Sequence, residues 1–383
     1  MLEPLSNDGR AGRANLRYLH FLDVFKGVAA QLIVLHHLTF YGPMSDYVRP
    51  AAPLLMGWLE LHARMAVQVF LVIGGFLAAR SFSADGIARM PSGLRRRIAR
   101  RYLMLTPPFM VAMLLTMGAS VWSGAWMTHD SISPLPTLAQ LGAHALLLHG
   151  VLGYESISAG AWYVAIDFQL YVLLALLLWA CGRVAAERPS AMPWLLPAAV
   201  TAGVAISLFW FNRSEQFDVW GWYFFGSYGL GALACWASTP AASDTRRRLL
   251  LLAMLLPASA ALAIDFRSRI ALALLLAGFV AWAVGSGVMA RYAANKPLIW
   301  LGRISYSVFL VHFPVCLVIN AAFVHFAPLT VGWQGAGMVV AWLASLGAGA
   351  AFHWLVEAPL ARRLAPARTA PAREPCANVL PSV

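Results

Sequence analysis

The chain has 383 residues, of which 60% are hydrophobic and only 11% charged, with a mean hydropathy of +0.68. Soluble domains carry about 25% charged residues, so this composition excludes an ordinary soluble enzyme, a disordered chain and a fibrous protein. The formal net charge of +12 does not point to nucleic acid. The basic residues sit in short clusters between apolar segments, as topology signals do.

A helix that spans a bilayer needs about 17–25 predominantly apolar residues. Taken in chain order, the sequence predicts ten of them, near 20–41, 63–82, 102–122, 160–181, 193–211, 219–238, 249–264, 270–288, 304–327 and 333–356. The fold class expected is therefore an all-α polytopic integral membrane protein with cytoplasmic N- and C-termini. Residues 1–19 read as an uncleaved cytoplasmic tail, 20–357 as one transmembrane domain and 358–383 as a second cytoplasmic tail, expected to be disordered. That second tail is Pro/Ala-rich over 365–383. The stretch 123–159 holds an apolar run, 138–152, too short to cross; a re-entrant or interfacial helix is expected there, and another in 42–62. This layout puts 23 of the 28 lysines and arginines on the cytoplasmic side, as the positive-inside rule requires. Only Arg49, Arg64, Arg213, Arg267 and Arg269 fall on the other side. The four cysteines, Cys181, Cys235, Cys316 and Cys376, are far apart and imply neither a disulfide framework nor a zinc site.

Ionisable groups inside spanning helices are costly and mark function by default. The first helix carries Asp23, Lys26, His36 and His37. Eleven positions separate Lys26 from His37, about three turns plus 20°, so both share one helix face roughly 16 Å apart. The plainer alternative is Lys26 snorkelling with an i,i+3 partner in Asp23. Asp167 lies about five residues into the fourth helix; it must pair, protonate or line an aqueous cavity, and an arginine of a neighbouring helix is one such partner. The ninth helix carries Ser305, Tyr306, Ser307 and His312; Ser305 suits a cap, and small polar residues often join membrane helices. The run Leu94–Arg101 suits anionic lipid and also a phosphate-rich ligand, because guanidinium forks bind phosphate bidentately. His129, His144 and His149 match no metal spacing, and no metal is predicted. No Gly-rich phosphate loop, HExxH or GxSxG occurs.

These segments together resemble the membrane acyltransferase-3 family, bacterial O-acyltransferases that modify extracytoplasmic glycans. FLDVFKGVAAQLIVLHH is similar to that family's LDxLRGxAxxxVxxxH stretch, with Lys26 and His37 filling its R/K-x10-H motif. VQVFLVIGGFLAARSF is similar to VxxFFVISGFL, AWYVAIDFQLYV to WSLxxExxFY with Asp167 at the acidic position, and ISYSVFLVH to SYSxYLxH. The landmarks follow family order over about residues 18–357. Gly74 stands where the family usually has Ser, Val24 replaces a common Gly, and the acid is Asp rather than Glu. The RxxR phosphate motif fits Arg97–Arg100, with Arg101 as the start of the alternative register.

The resemblance implies an acyltransferase that moves an acyl group, acetyl first of all, from cytoplasmic acyl-CoA to a hydroxyl outside the membrane. It implies Lys26, Arg97, Arg100 and Arg101 on the donor's phosphates. His37 would be general base or acyl carrier, and Asp167 would orient it as the acidic member of a dyad. Asp23, Ser305, Tyr306 and His312 would support the site. The partners implied are acetyl-CoA, membrane lipids and a glycan, lipid-linked saccharide or glycosylated small molecule, in a bacterial inner membrane. Two other classes compete: a secondary transporter, which usually shows two related halves, and a non-catalytic lipid- or polyisoprenoid-binding membrane protein.

Overall fold

A computed structural model describes residues 7–188, 192–239, 242–288 and 295–364, with side chains from residue 20 onward. Of the tail expected to be disordered, 358–364 is helical instead, and 365–383, with Cys376, lies outside the described residues. All regular structure among the described residues is helical. Helix α1 runs Asn7–His37, α2 Met44–Val48, α3 Pro53–His62, α4 Val67–Phe82, α5 Leu94–Gly124 and α6 Leu138–Ala145. They are followed by α7 Ala161–Glu187, α8 Met192–Phe209, α9 Gly221–Ala237, α10 Asp244–Ile264 and α11 Ser268–Gly285. The last elements are α12 Lys296–Arg303, α13 Ser305–Phe326, α14 Val331–Phe352, a π-helical turn His353–Glu357 and α15 Ala358–Leu364.

Eight helical stretches among the described residues are long and apolar enough to cross a bilayer. The two other expected spans fall on α1, which carries polar residues in its first half, and on α9, which has only 17 residues. The chain is a polytopic, multi-pass membrane protein. The run 138–152 contains only the eight-residue α6, and 42–62 contains α2 and α3. Helix α5 begins at Leu94, so the arginine run 95–101 is its first two turns rather than a loop.

Alternating helices put the C-termini of α4, α7 and α9 at the same end as the N-termini of α5, α8 and α10. Arg246 on α10 ties this end together by donating to the carbonyls of Asp85 (2.7 Å) and Pro193 (3.3 Å). This is the arginine end; the other is the histidine end, where α1 stops at His37.

Helix α9 is the hub, buried along almost its whole length. Its composition explains this: GWYFFGSYGLGALACWA is apolar all round and rich in small residues, so neighbours close on every side. A Cβ on Gly231 would fall onto the carbonyl of Val72 in α4, and one on Gly75 in α4 onto the carbonyl of Tyr228 in α9. The two backbones therefore touch. Ser227 of α9 donates to Gln68 of α4 at 2.6 Å across the same seam. Gly231→Leu should destabilise the bundle by about 1–3 kcal/mol, the usual range for overpacking. Gly118→Leu, where an added side chain meets open space, should leave the unfolding midpoint in nanodiscs where it was. Equal midpoints for both variants would refute the close crossing.

Candidate active site

His37 is the last residue of α1, and a staple from α13 holds the chain that follows it. Asn320 donates from Nδ2 to the carbonyl of Tyr41 (3.1 Å) and accepts from the amide of Met44 (3.1 Å). It closes over Gly42, whose φ of +135° and lack of Cβ allow the approach. Eight residues earlier, about two helical turns, α13 presents His312. His37 Nδ1 and His312 Nε2 lie 2.6 Å apart, with rings nearly parallel and centroids at 4.8 Å.

The hydrogen-bond network assigns the protons. His312 Nδ1 faces two carbonyls, Phe309 at 2.8 Å and Val308 at 3.2 Å, so it carries hydrogen. Its Nε2 is then the acceptor of a neutral imidazole, and His37 must donate from Nδ1. This leaves His37 Nε2 with its lone pair, on a residue that lines a cavity of about 1060 Å³ at the histidine end. His36 borders the same cavity and is held by the carbonyl of Leu59 in α3 at 3.2 Å. Gln68, Trp162 and Phe309 also line it. Near its rim, burial and the neighbouring Glu215 push the Asp218 carboxyl up from the usual carboxylate range.

A second cavity, about 280 Å³, opens toward the arginine end. Lys26, Gly74, Arg101, Asp167, Ser305 and Tyr306 line it. The wall between the cavities is aromatic. Phe309 borders both, with Tyr163 at 5.4 Å and Phe70 at 6.4 Å between ring centroids.

The structure corrects one expected contact. Asp167 does not orient His37: its carboxylate accepts a hydrogen bond from Arg101 of α5 and lines the other cavity. A buried carboxylate takes the strongest charge-assisted partner at its own depth, and that partner is the guanidinium one helix away. Arg101 thereby leaves the expected phosphate cluster and turns inward, where its Nε is buried without a partner. Arg97 and Arg100 stay exposed at the arginine end, Arg97 donating to the carbonyl of Ser81 at 2.8 Å. Lys26 pairs with Asp23 at 2.7 Å, the plainer of the two alternatives, and its amine still borders the smaller cavity. Lys26 and His37 thus serve opposite cavities from one helix.

Ser305 donates to the carbonyl of Gly302 at 2.8 Å, and Tyr306 to that of Leu105 at 3.0 Å. Both act as helix joints that shape the smaller cavity. Gly74 leaves room there: a Cβ would stand 3.7 Å from Asp167 Oδ1 and 3.3 Å from the Tyr228 ring. No group of three metal-ligating side chains gathers among the described residues.

Two site residues escaped the sequence reading. Asn320 carried a usable signal, since a carboxamide inside an apolar helix needs partners. Glu357 carried a weaker one. It closes the π-helical turn, accepts from Ser307 (2.5 Å) and His353 (3.0 Å) and lines the smaller cavity. π-turns recur at functional sites.

Arg101→Met should leave Asp167 as an unpaired buried carboxylate and destabilise the protein by about 3 kcal/mol. That is the lower end for breaking a buried pair, because the Arg101 side chain keeps 35% exposure. Adding Asp167→Asn should recover most of the loss. Strict additivity of the two changes in thermal unfolding would show that the pair contributes nothing.

Comparison with known proteins gives the frame for this geometry. A family model described as an acyltransferase domain matches residues 19–357. The chain is also 26% identical over 173 residues to a Caenorhabditis elegans protein named regulator of hypoxia-inducible factor 1. That match covers 42% of this chain and 34% of the worm protein, so the chain spans about a third of that relative's length. No solved structure matches. With nearly the whole transmembrane region inside the family model, the chain belongs to the acyltransferase-3 family.

Proposed function

We propose that the protein is a membrane O-acyltransferase of a bacterial inner membrane, taking an acyl group, acetyl first of all, from cytoplasmic acyl-CoA to a hydroxyl of an extracytoplasmic glycan or glycosylated acceptor. The observation that carries this reading is the His37–His312 pair, with a free imidazole lone pair facing a large cavity. That cavity is separated by one aromatic wall from a narrower one at the arginine end. A volume of 280 Å³ lies just below the range of about 300–1,000 Å³ typical of pockets for whole small molecules. It suits a slender arm rather than a nucleotide.

In this reading the exposed Arg97 and Arg100 meet the donor's phosphates outside the bundle, as guanidinium groups do. The thiol-bearing arm enters the narrow cavity, where the unpartnered Nε of Arg101 is a donor for an amide carbonyl. Asp167 holds that guanidinium in place and is a positioning residue. The acceptor hydroxyl occupies the larger cavity, and the thioester end of the arm reaches it by displacing the Phe309 ring from the wall. His37 Nε2 takes its proton as the oxygen attacks the thioester carbonyl. The new C–O bond forms, the C–S bond breaks, and the leaving thiolate recovers the proton from the imidazolium. His312 fixes the tautomer of His37 and spreads the transient positive charge to the carbonyl of Phe309. This is the part an acid plays in a Ser-His-Asp triad, here done by a neutral group.

The test is transfer of label from acetyl-CoA to glycan in inverted membrane vesicles. Wild type should transfer. His37→Ala should lose at least about 10²-fold, the lower bound for removing a general base. His312→Ala should lower kcat with donor affinity retained, whereas Arg97→Ala with Arg100→Ala should raise KM for the donor. Undiminished transfer by folded His37→Ala would overturn the mechanism. Solute accumulation without acyl-CoA would favour a transporter instead.

A further inference from the structure

The segment between α5 and α7 brings another imidazole to the larger cavity. His149 is 1% exposed, lines that cavity, and neither of its ring nitrogens has a hydrogen-bond partner. Two orphan nitrogens on one buried ring are uncommon, because an unmade buried hydrogen bond costs about 1–3 kcal/mol.

The ring's orientation is built. His144 donates from Nδ1 to the carbonyl of Gln140 (2.8 Å) and accepts from the amide of Ile157 (3.2 Å) on Nε2, which fixes its plane. His149 stacks on it at 4.0 Å between centroids and 8° between planes, with Phe109 alongside at 6.4 Å. The turn that delivers it holds buried Leu147 at φ +56°. This left-handed conformation is disfavoured for a residue with a branched side chain and is typical of places where function requires it. Burial, and then His144, push the His149 imidazole down to about 4, so it is neutral at physiological pH.

We infer that His149 is an acceptor-binding residue, its two divergent ring nitrogens taking well-separated hydroxyls of a neutral polyhydroxylated acceptor in the cavity shared with His37. This rests on the acyltransferase reading above. A neutral imidazole offers one donor and one acceptor. A phosphate or carboxylate would use only the donor and set negative charge against the other nitrogen; a sugar hydroxyl serves either. The charged groups of the wall give an anion no net attraction, since Arg64, Arg267 and Arg269 stand against Asp130, Glu155, Glu215 and Asp218. Arg267 spends its donors on Asn212 and the carbonyl of Leu208, and carboxylates such as Glu155 and Asp218 border the same space. Trp162 adds an aromatic face to the lining of the kind that covers the apolar side of a sugar ring.

The experiment compares wild type, His149→Phe, His149→Gln and His37→Ala in vesicles that retain their endogenous glycan. Label transferred from acetyl-CoA is measured against glycan content, and CoA binding is measured by titration of the purified protein in nanodiscs. His149→Phe keeps the ring stack but removes both nitrogens. It should raise the apparent KM for glycan at least tenfold, with kcat within about threefold of wild type and CoA affinity unchanged. His149→Gln, which restores one donor and one acceptor, should recover most of the affinity. An unchanged KM in a folded His149→Phe protein means that the nitrogens meet no part of the acceptor, and overturns the proposal. Equal loss of kcat and CoA binding assigns the ring a structural role and overturns it too. Absence of acetyl transfer by wild type itself would instead overturn acetyl as the group carried, the part of the proposed function on which this assay rests.

Discussion

The site hangs on one hydrogen bond between neutral imidazoles, His37 Nδ1–H to His312 Nε2 at 2.6 Å. It joins the end of α1 to the middle of α13. On one side the chain of bonds ends at the backbone carbonyl of Phe309; on the other it ends at a lone pair facing a cavity. Neither ring is hydrogen-bonded to a charged group, so the arrangement avoids the desolvation cost of burying an ion. The rest of the histidine end serves this contact. Asn320 ties down the turn after His37, Gly42 makes room for it, and α3 holds His36 through the carbonyl of Leu59.

The two cavities solve the problem of polar groups in an apolar bundle differently. At the arginine end charge is met with charge, as in Asp23–Lys26 and Asp167–Arg101. Each ion pair is compact and leaves little unneutralised field. At the histidine end the groups nearest the lone pair are neutral: imidazoles, carbonyls, a carboxamide and aromatic rings. Phe309 belongs to both cavities. At Phe309 a single ring separates the narrow cavity from the large one.

Packing makes this partition possible. Helices in lipid gain little from hydrophobic burial against one another, and close approach through small residues takes its place. Gly75 and Gly231 bring α4 and α9 together backbone to backbone, and Gly302 of α12 does the same against Asp23 of α1. The second crossing sets the N-terminal half of α1 beside the arginine end, which is why Lys26 and His37 open into different cavities.

Composition and local pattern determined the membrane class, the helices, their alternation and the polar residues worth attention, because each depends on neighbours along one chain segment. The family motifs added expected roles for His37 and the arginine cluster, which the polar residues had already marked, and the eleven-residue spacing of Lys26 and His37 set a shared helix face whatever packs against it. Which polar groups meet was decided only in three dimensions. Asp167 was legible as a carboxylate in need of a partner, but the choice of Arg101 over His37 depends on the depth and rotation of α5 and α7. His312 was legible as a polar residue in a spanning helix, yet its bond to His37 spans 275 positions. Asn320, Glu357 and His149 gained meaning through non-local contacts, or through the lack of them. A hydrogen bond has a reach of about 3 Å, and the sequence places no two helices that closely; the glycine crossings and the Asn320 staple do.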